Sequence, residues 1–364
     1  MRERELIDGR QATWLVIGLI LPTAILVVPA STIKHAGHDA WLSIFLALPG
    51  GLAVAWMVVS LCRRFPEKDF FECAEEVLGR VPARVVEVSY VWWFLHTASL
   101  ITLEFAAFLC AAILPDTPPL VFFVVGLAVV AYLVRLGPEV MGRYAQTVLP
   151  LTLLLLSVVL LLAVRDMEMC RLLPVFDRPF PLVLKGAAAP LAWFGEVVVF
   201  GLIIPHLNRP DEALRAAARG LLFTAFCLWA SVTATIAVFG PALPAGWLFP
   251  TYNTVRVVSI ANFLERLDAV VVAAWMFGGF IKVGMFYYAA ALGSARILGI
   301  KDYRPLVLPV GAVIVALATL CRSVVELRDF AARVWPIYAF IPYGAGIPLL
   351  LLLVAVLRRG GKGS

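Results

Sequence analysis

Three ionisable side chains stand deep inside long apolar runs of this 364-residue sequence: Glu104, Glu196 and Lys282. A charge at the centre of a bilayer costs several kcal/mol unless it is paired or wetted, so such residues mark ligand sites, ion paths or proton relays. Glu196 lies between Phe194-Gly195 and Val197-Val198-Val199 and is expected to face an internal cavity; the competing role is a hydrogen-bonded structural acid. Glu104 shares a helix face with Thr97 and Ile101, at i−7 and i−3, which places a hydroxyl and a carboxyl in one row. Lys282 is surrounded by Gly278, Gly279 and Gly284, small residues that let another helix come close. Its ammonium requires a partner unless it snorkels to the inner interface. Arg266 and Asp268 open the same run near its outer end; at i, i+2 they do not pair with each other, and they serve either as interfacial anchors or as an outer gate. His96 is read as a bundle histidine, and Trp92, Trp93 and Trp335 as interface anchors.

Helix breakers cluster in two of the apolar runs. The first contains Pro22 and Pro29, and the sixth reads Pro190-Leu191-Ala192-Trp193-Phe194-Gly195-Glu196, followed by Gly201 and Pro205. Proline removes a donor and clashes with the preceding turn, so both helices are expected to be interrupted near mid-membrane, where the freed backbone groups must find partners. These runs hold equivalent places in two five-helix halves, a pattern that fits an inverted-repeat transporter holding its substrate where the broken helices meet. Simple proline kinks are the bland alternative.

The elements that must position these residues are membrane helices. The chain is 62% hydrophobic and only 15% charged, with a mean hydropathy of +0.94, far from the composition of a soluble domain. Near-continuous apolar stretches of about 18 to 25 residues match the length a helix needs to cross a bilayer, whereas a membrane barrel would show short alternating strands. We read an all-α integral membrane protein forming one transmembrane domain over 1–364. Ten spans are expected: Gln11–Ser31, Trp41–Cys62, Val85–Leu114, Leu120–Leu136, Gln146–Val164, Ala187–Pro205, Gly220–Phe239, Leu267–Ala291, Pro305–Cys321 and Ile337–Leu357. The first repeat covers about 11–164 and the second about 187–357. The run behind Met1–Arg10 is too long for a signal-peptide core and is taken as the first span. With the amino terminus inside, inner loops hold roughly twice as many Lys and Arg as outer ones, which favours cytoplasmic termini at both ends.

Three connections are more than turns: an amphipathic inner segment Asp69–Leu78 and outer loops Arg165–Gly186 and Pro241–Asn262. The outer loops are either lids or solvated linkers. The net charge of +6 is spread over short loops without interleaved aromatics, so it reflects topology and does not point to nucleic acid. Six cysteines include no CxxC pair, so neither a disulfide framework nor a zinc site is expected. No metal-ligand constellation, Walker loop, dinucleotide fingerprint or serine-nucleophile elbow is present, and no enzyme activity, metal or cofactor is expected.

One block of residues carries a family resemblance. Pro250-Thr251-Tyr252, Ile260-Ala261-Asn262-Phe263-Leu264-Glu265-Arg266-Leu267-Asp268, Trp275 and Phe280-Ile281-Lys282-Val283 closely resemble the B subunits of bacterial endospore germinant receptors. Gly37-His38-Asp39-Ala40-Trp41-Leu42-Ser43, Gly137-Pro138-Glu139-Val140-Met141-Gly142-Arg143, Leu173-Pro174-Val175 and Phe194-Gly195-Glu196-Val197 follow in the same order, so the similarity spans about residues 10 to 355. The resemblance implies the amino acid, polyamine and organocation transporter superfamily, with its 5+5 inverted-repeat, LeuT-like fold. It also implies a nutrient-sensing role beside A and C partner subunits in the spore inner membrane. In that superfamily the first and sixth helices hold the substrate, which points here to Thr23, Ala24 and Ile25 and to Phe194, Gly195 and Glu196. A helix start near Thr23–Leu26 would present free N–H groups to a carboxylate, while Glu196 would attract an ammonium. Relatives carry glycine-rich residues at the first break where this chain has Pro22-Thr23-Ala24. Sodium-coupled relatives hold an ion between the first and eighth helices; a Lys282 ammonium there would stand in for it and make binding sodium-independent. Three functions remain open: a receptor subunit binding a small germinant, an amino acid; a proton-coupled amino-acid transporter using Glu104, Glu196 or Lys282; and a water or ion conduit opened on receptor activation.

Overall fold

A computed structural model of the chain describes residues 6–257, 267–320 and 324–360. In chain order the helices are α1 (Gly9–Ala36), α2 (Ala40–Cys62), α3 (Phe70–Leu78), α4 (Arg80–Ala112), α5 (Pro119–Leu136), α6 (Pro138–Ala163), α7 (Phe180–Gly186), α8 (Ala188–Gly195), α9 (Ala213–Phe239), α10 (Pro250–Val257), α11 (Leu267–Leu298), α12 (Val307–Leu320), α13 (Val324–Asp329), α14 (Trp335–Tyr338) and α15 (Ile347–Gly360). Among the described residues eight helical stretches are long and apolar enough to cross a membrane. The first of these, Gly9–Cys62, holds two crossings, and the shorter apolar segment Arg304–Leu320 supplies another, which gives the ten expected.

Start and stop signals explain the boundaries. Asp8 caps α1 by accepting the Gln11 N–H, and the Gln11 side chain returns the bond, satisfying two groups that a helix start leaves unpaired. At the other end Gly37 adopts φ 58, a left-handed region that glycine enters at low cost, and the chain turns directly into α2. The amphipathic segment Asp69–Leu78 forms as α3, with the same reciprocal cap between Asp69 and Glu72. The loop over 165–186, expected on the outer side, is more structured than a linker: it holds two 3-10 turns and ends in α7. Asp39, fully buried, accepts the backbone N–H groups of Phe176 and Arg178 at 2.6 and 3.1 Å and so ties this loop to the α1–α2 corner. Part of the loop over 241–262, also expected on the outer side, is likewise helical, as α10.

α1 runs through the middle of the bundle. It packs against α9, α6, α11, α7 and α8, and nearly all of it from Leu15 to Ala36 is buried. The equally apolar α5 and α6 lie on the outside and present Val121, Val125, Val129, Leu151, Leu154 and Leu161 outward, as lipid-facing helices must.

The two breaker-rich spans differ in kind. α1 remains one continuous helix of 28 residues, so its interruption is a gap in the hydrogen-bond ladder and not an unwound segment. No helix start with free N–H groups faces inward at Thr23–Leu26, contrary to the sequence expectation. What proline frees is a carbonyl: Pro29 cannot donate to Ile25, and the Thr251 hydroxyl donates to the Ile25 carbonyl in its place at 2.5 Å. The sixth span changes pitch. It is α-helical as α8 and becomes a 3-10 helix over Glu196–Leu202, a run longer than this strained geometry usually sustains and the kind that marks a functional hinge. The last span is also irregular, with π-helical turns at Phe330–Val334 and Ala339–Gly346.

Candidate functional site

The three buried ionisable residues converge. Lys282, on α11, extends its ammonium to 2.7 Å from a Glu196 carboxylate oxygen, and both side chains are only 1% exposed. The approach lies off the line of an ideal hydrogen bond, so charge attraction is the main bond between them. The same ammonium donates to Thr23 Oγ1 at 2.6 Å and sits 5.9 Å from the centroid of the Trp193 ring, within cation–π range. Thr23 Oγ1 also accepts the Trp193 indole N–H at 2.8 Å. One hydroxyl, one ammonium and one carboxylate therefore join the first, sixth and eighth spans, which supplies the pairing a charge at this depth requires.

Local sequence explains how the side chains meet. Glu196 is the first residue after the change of helix pitch. Gly279 lets α11 approach α4, since a Cβ there would overlap the Phe105 ring. Gly18 lets α1 approach α11: a Cβ would lie 2.6 Å from Ile281 Cγ2. A second polar layer braces α1 from behind. Trp275 donates its indole N–H to the Pro22 carbonyl at 2.8 Å, and Ser231 bonds Thr251 at 2.7 Å.

These residues line an internal cavity together with Thr97, Leu100, Ile101 and Glu104 of α4 and Leu327, Phe330, Ala331 and Trp335 of the last span. Its volume of about 30 Å³ is roughly one water's share of liquid and too small for any amino acid. Glu104 is 8% exposed, and its Oε1 has no hydrogen-bond partner. Trp335, 4% exposed, likewise leaves its indole Nε1 without a partner.

Of the six residues expected to hold a substrate, Thr23 and Glu196 line this cavity. Ala24 is fully buried away from it, and Ile25 faces a separate crevice with Trp275 and Leu149. Phe194 packs on Gly51 of α2, and Gly195 on Phe340 of the last span. Glu104 and Lys282 join the same cavity. Lys282 is deeply buried and does not snorkel. Arg266 lies outside the described residues, as does the motif 260–266, and of Asp268 only the helical backbone is described. Two tryptophans expected as interface anchors are not: Trp93 is fully buried, stacked on Tyr343 at 4.9 Å, and Trp335 lines the cavity. Only Trp92, 50% exposed, stands outward. Phe330 and Trp335 entered through the π-helical irregularity of the last span, a feature without a sequence signal beyond Pro336 and Pro342. Among the described residues no group of three or more His, Cys, Asp or Glu side chains is placed to hold a metal.

Comparison with known proteins gives this arrangement a context. A profile of the spore germination protein family matches residues 6–323. The chain belongs to that family. It is 26% identical over 362 residues to spore germination protein KB of Bacillus subtilis, covering 98% of this chain and 96% of that protein. It is 21% identical to spore germination protein YndE of the same organism, covering 98% of both. Among solved structures, the fold is that of MhsT in complex with L-phenylalanine (TM-score 0.67, 13% identity, 97% of this chain and 96% of that one). A nucleobase-cation-symport-1 family transporter in a closed conformation also matches (TM-score 0.71, 11% identity, 96% and 78%). At such low identity these structures establish the LeuT-like fold alone. The chain is thus a germination-related, permease-like membrane protein whose relatives are permease-type proteins.

Proposed function

We propose that this chain is the nutrient-sensing membrane subunit of a spore germinant receptor. It binds a small germinant, an amino acid, in the cavity between the first and sixth helices and signals to A and C partner subunits in the spore inner membrane, with both termini cytoplasmic. The observation that carries this reading is the Thr23–Lys282–Glu196 set, which joins three spans around one cavity. It offers a cation to a ligand carboxylate and an anion to a ligand ammonium in the same small volume. Ala24, Ile25, Phe194 and Gly195 act from behind by fixing the two helices that carry Thr23 and Glu196. Because the cavity must widen to admit even a small amino acid, binding is tied to a rearrangement of the spans around it. A coupling of about 1 to 3 kcal/mol suffices to pass such a change to a partner. The Lys282 ammonium between the first and eighth spans supports binding without sodium.

A second reading, a proton-coupled amino-acid transporter, draws support from Glu104, a buried carboxyl with an unpartnered oxygen beside the same cavity. The two are separated by reconstituted uptake: a transporter accumulates substrate when a pH gradient is imposed, and a pure sensor does not. The binding reading itself is tested by thermal unfolding of the detergent-purified protein against amino acids, sugars and nucleosides. A compound at 100 times its dissociation constant adds about 2.7 kcal/mol. Stabilisation by one or a few amino acids, absent in Glu196→Gln, is expected; no stabilisation by any compound would sink the reading.

A further inference from the structure

On the outward face of α4, away from the central cavity, lies an open groove of about 760 Å³. Val81, Val85, Val88 and Trp92 line it, spaced i, i+4, i+7 and i+11 so that they share one helix face, and they are 77, 68, 49 and 50% exposed. Tyr343 of the last span joins the lining, and Trp92 is steadied by stacking on His96 at 5.7 Å. Arg80 and Arg84 stand at one end. Arg80 is exposed and has no partner among the described residues. Arg84 reaches the Glu87 carboxylate and the Arg296 carbonyl at 2.8 and 2.9 Å, both through Nη1, which leaves its other N–H groups for a further acceptor. Glu72, Glu75 and Glu87 lie on Arg296 and do not neutralise Arg80. Like charges one helical turn apart repel, so an anion placed between Arg80 and Arg84 is favoured.

We propose that this groove holds an anionic phospholipid, with its phosphate on Arg80 and Arg84 and an acyl chain along Val81, Val85 and Val88 to Trp92. Depth favours a lipid: from Val81 to Trp92 α4 rises about 16 Å at 1.5 Å per residue, close to half of a hydrocarbon core of roughly 30 Å. The apolar stripe therefore covers one leaflet. Side-chain type disfavours a second membrane helix, whose close approach calls for Gly, Ala or Ser at the contact. Here branched Val and Trp project, and Ser89, the one small residue of the lining, turns its hydroxyl back to the Val86 carbonyl. Charge selects the headgroup, because guanidinium forks match a phosphate and a basic residue near the membrane surface prefers a lipid with net negative charge. A lipid in this place braces Tyr343, which stacks on Trp93 at 4.9 Å and accepts the Tyr90 hydroxyl at 2.6 Å through its carbonyl. Its occupancy thus stiffens the irregular last span. The groove shares no residue with the proposed nutrient site, so either reading stands without the other.

Native mass spectrometry of the delipidated full chain tests this, with phosphatidylglycerol, phosphatidylethanolamine of the same chains and inorganic phosphate as probes. Wild type is expected to bind the first phosphatidylglycerol about 5-fold more tightly than the first phosphatidylethanolamine, and to hold no phosphate. Arg80→Gln removes most of that preference, as loss of one basic residue at a membrane surface implies, and leaves phosphatidylethanolamine binding unchanged, which shows that the variant is folded. Val85→Trp fills the groove and weakens both lipids. A preference for phosphatidylglycerol undiminished in Arg80→Gln would overturn the proposal. So would phosphate bound as tightly as the lipid, which would leave a headgroup site without a chain, or a dimer that Val85→Trp abolishes, which would give the groove to a second copy.

Discussion

α11 carries two ion-pair sites of opposite character. At mid-membrane, Lys282 meets Glu196 as an isolated pair, 1% exposed on both sides, with one hydroxyl in support. Near the C-terminal end of the same helix, about 21 Å away for 14 residues at 1.5 Å each, Arg296 faces four carboxylates from two other helices. It lies 2.9 Å from Glu87 of α4, 3.2 and 3.5 Å from Glu72 and Glu75 of α3, and 3.8 Å from Asp69 at the α3 cap. Arg84 donates to Glu87 and to the Arg296 carbonyl at 2.8 and 2.9 Å. The buried pair is closed off from the surface with one hydroxyl in support, so losing either partner leaves the other charge buried and uncompensated. The Arg296 site spreads one cation over many partners that are partly exposed, so losing any single contact is tolerated. The second is a clamp that fastens α3 and α4 to α11.

The largest effect should come from breaking the buried pair. Lys282→Met leaves Glu196 without its cation and Thr23 without one donor, and is expected to lower stability by about 3 to 5 kcal/mol in thermal unfolding. Adding Glu196→Leu should restore most of that loss, since replacing both members of a buried pair by apolar groups is often neutral. A double variant no more stable than the single one would show that the pair stabilises beyond mutual compensation.

A smaller loss is expected in the layer behind the site. Thr251→Val removes the hydroxyl that satisfies the Ile25 carbonyl freed by Pro29, and leaving that group unpaired should cost about 1 to 3 kcal/mol. An unchanged unfolding temperature would mean that another donor reaches it.

The smallest effect belongs to the Arg296 clamp and depends on pH. Burial raises the Asp69 carboxyl from 3.8 to about 6, outweighing the nearby Arg296, while Glu72 adds to the rise. A raised carboxyl binds its proton more tightly in the folded than in the unfolded chain, so its ionisation opposes folding above about pH 6 and this cost fades as pH falls toward 4. Wild type should therefore gain stability relative to Asp69→Asn between pH 7.5 and 5, by on the order of 1 to 2 kcal/mol. A gap that is flat with pH, or one that moves the other way, would show that ion pairing with Arg296 dominates the site.

Particular residues show how much was legible beforehand. Glu104, Glu196 and Lys282 could be picked out from sequence because a charge in an apolar run is costly wherever the helix lies, and Gly279 announced a close helix approach before its partner was known. That Thr23 would be the shared acceptor was within reach, since it sits beside Pro22 in a breaker-rich run. Trp335 was not legible: a tryptophan near the end of an apolar run reads as an interface anchor, and only the π-helical turns bring it to the cavity wall. Neither was the role of Thr251, which depends on the Ile25 carbonyl, 226 residues earlier in the chain.

The sequence by itself determined the membrane as solvent, the number of crossings and the identity of the charged residues that had to find partners. These follow from local composition and from the cost of charge in hydrocarbon, which act on each span separately. Only the tertiary structure decided which apolar helix is central and which faces lipid, for α1 and α6 are equally apolar but one is enclosed and the other exposed. It also decided that the first span would keep its helix while the sixth changed pitch, and which polar atoms would be left unpartnered at Glu104 and Trp335. Those outcomes depend on what packs alongside, and hydrophobicity, being non-directional, does not encode the neighbour.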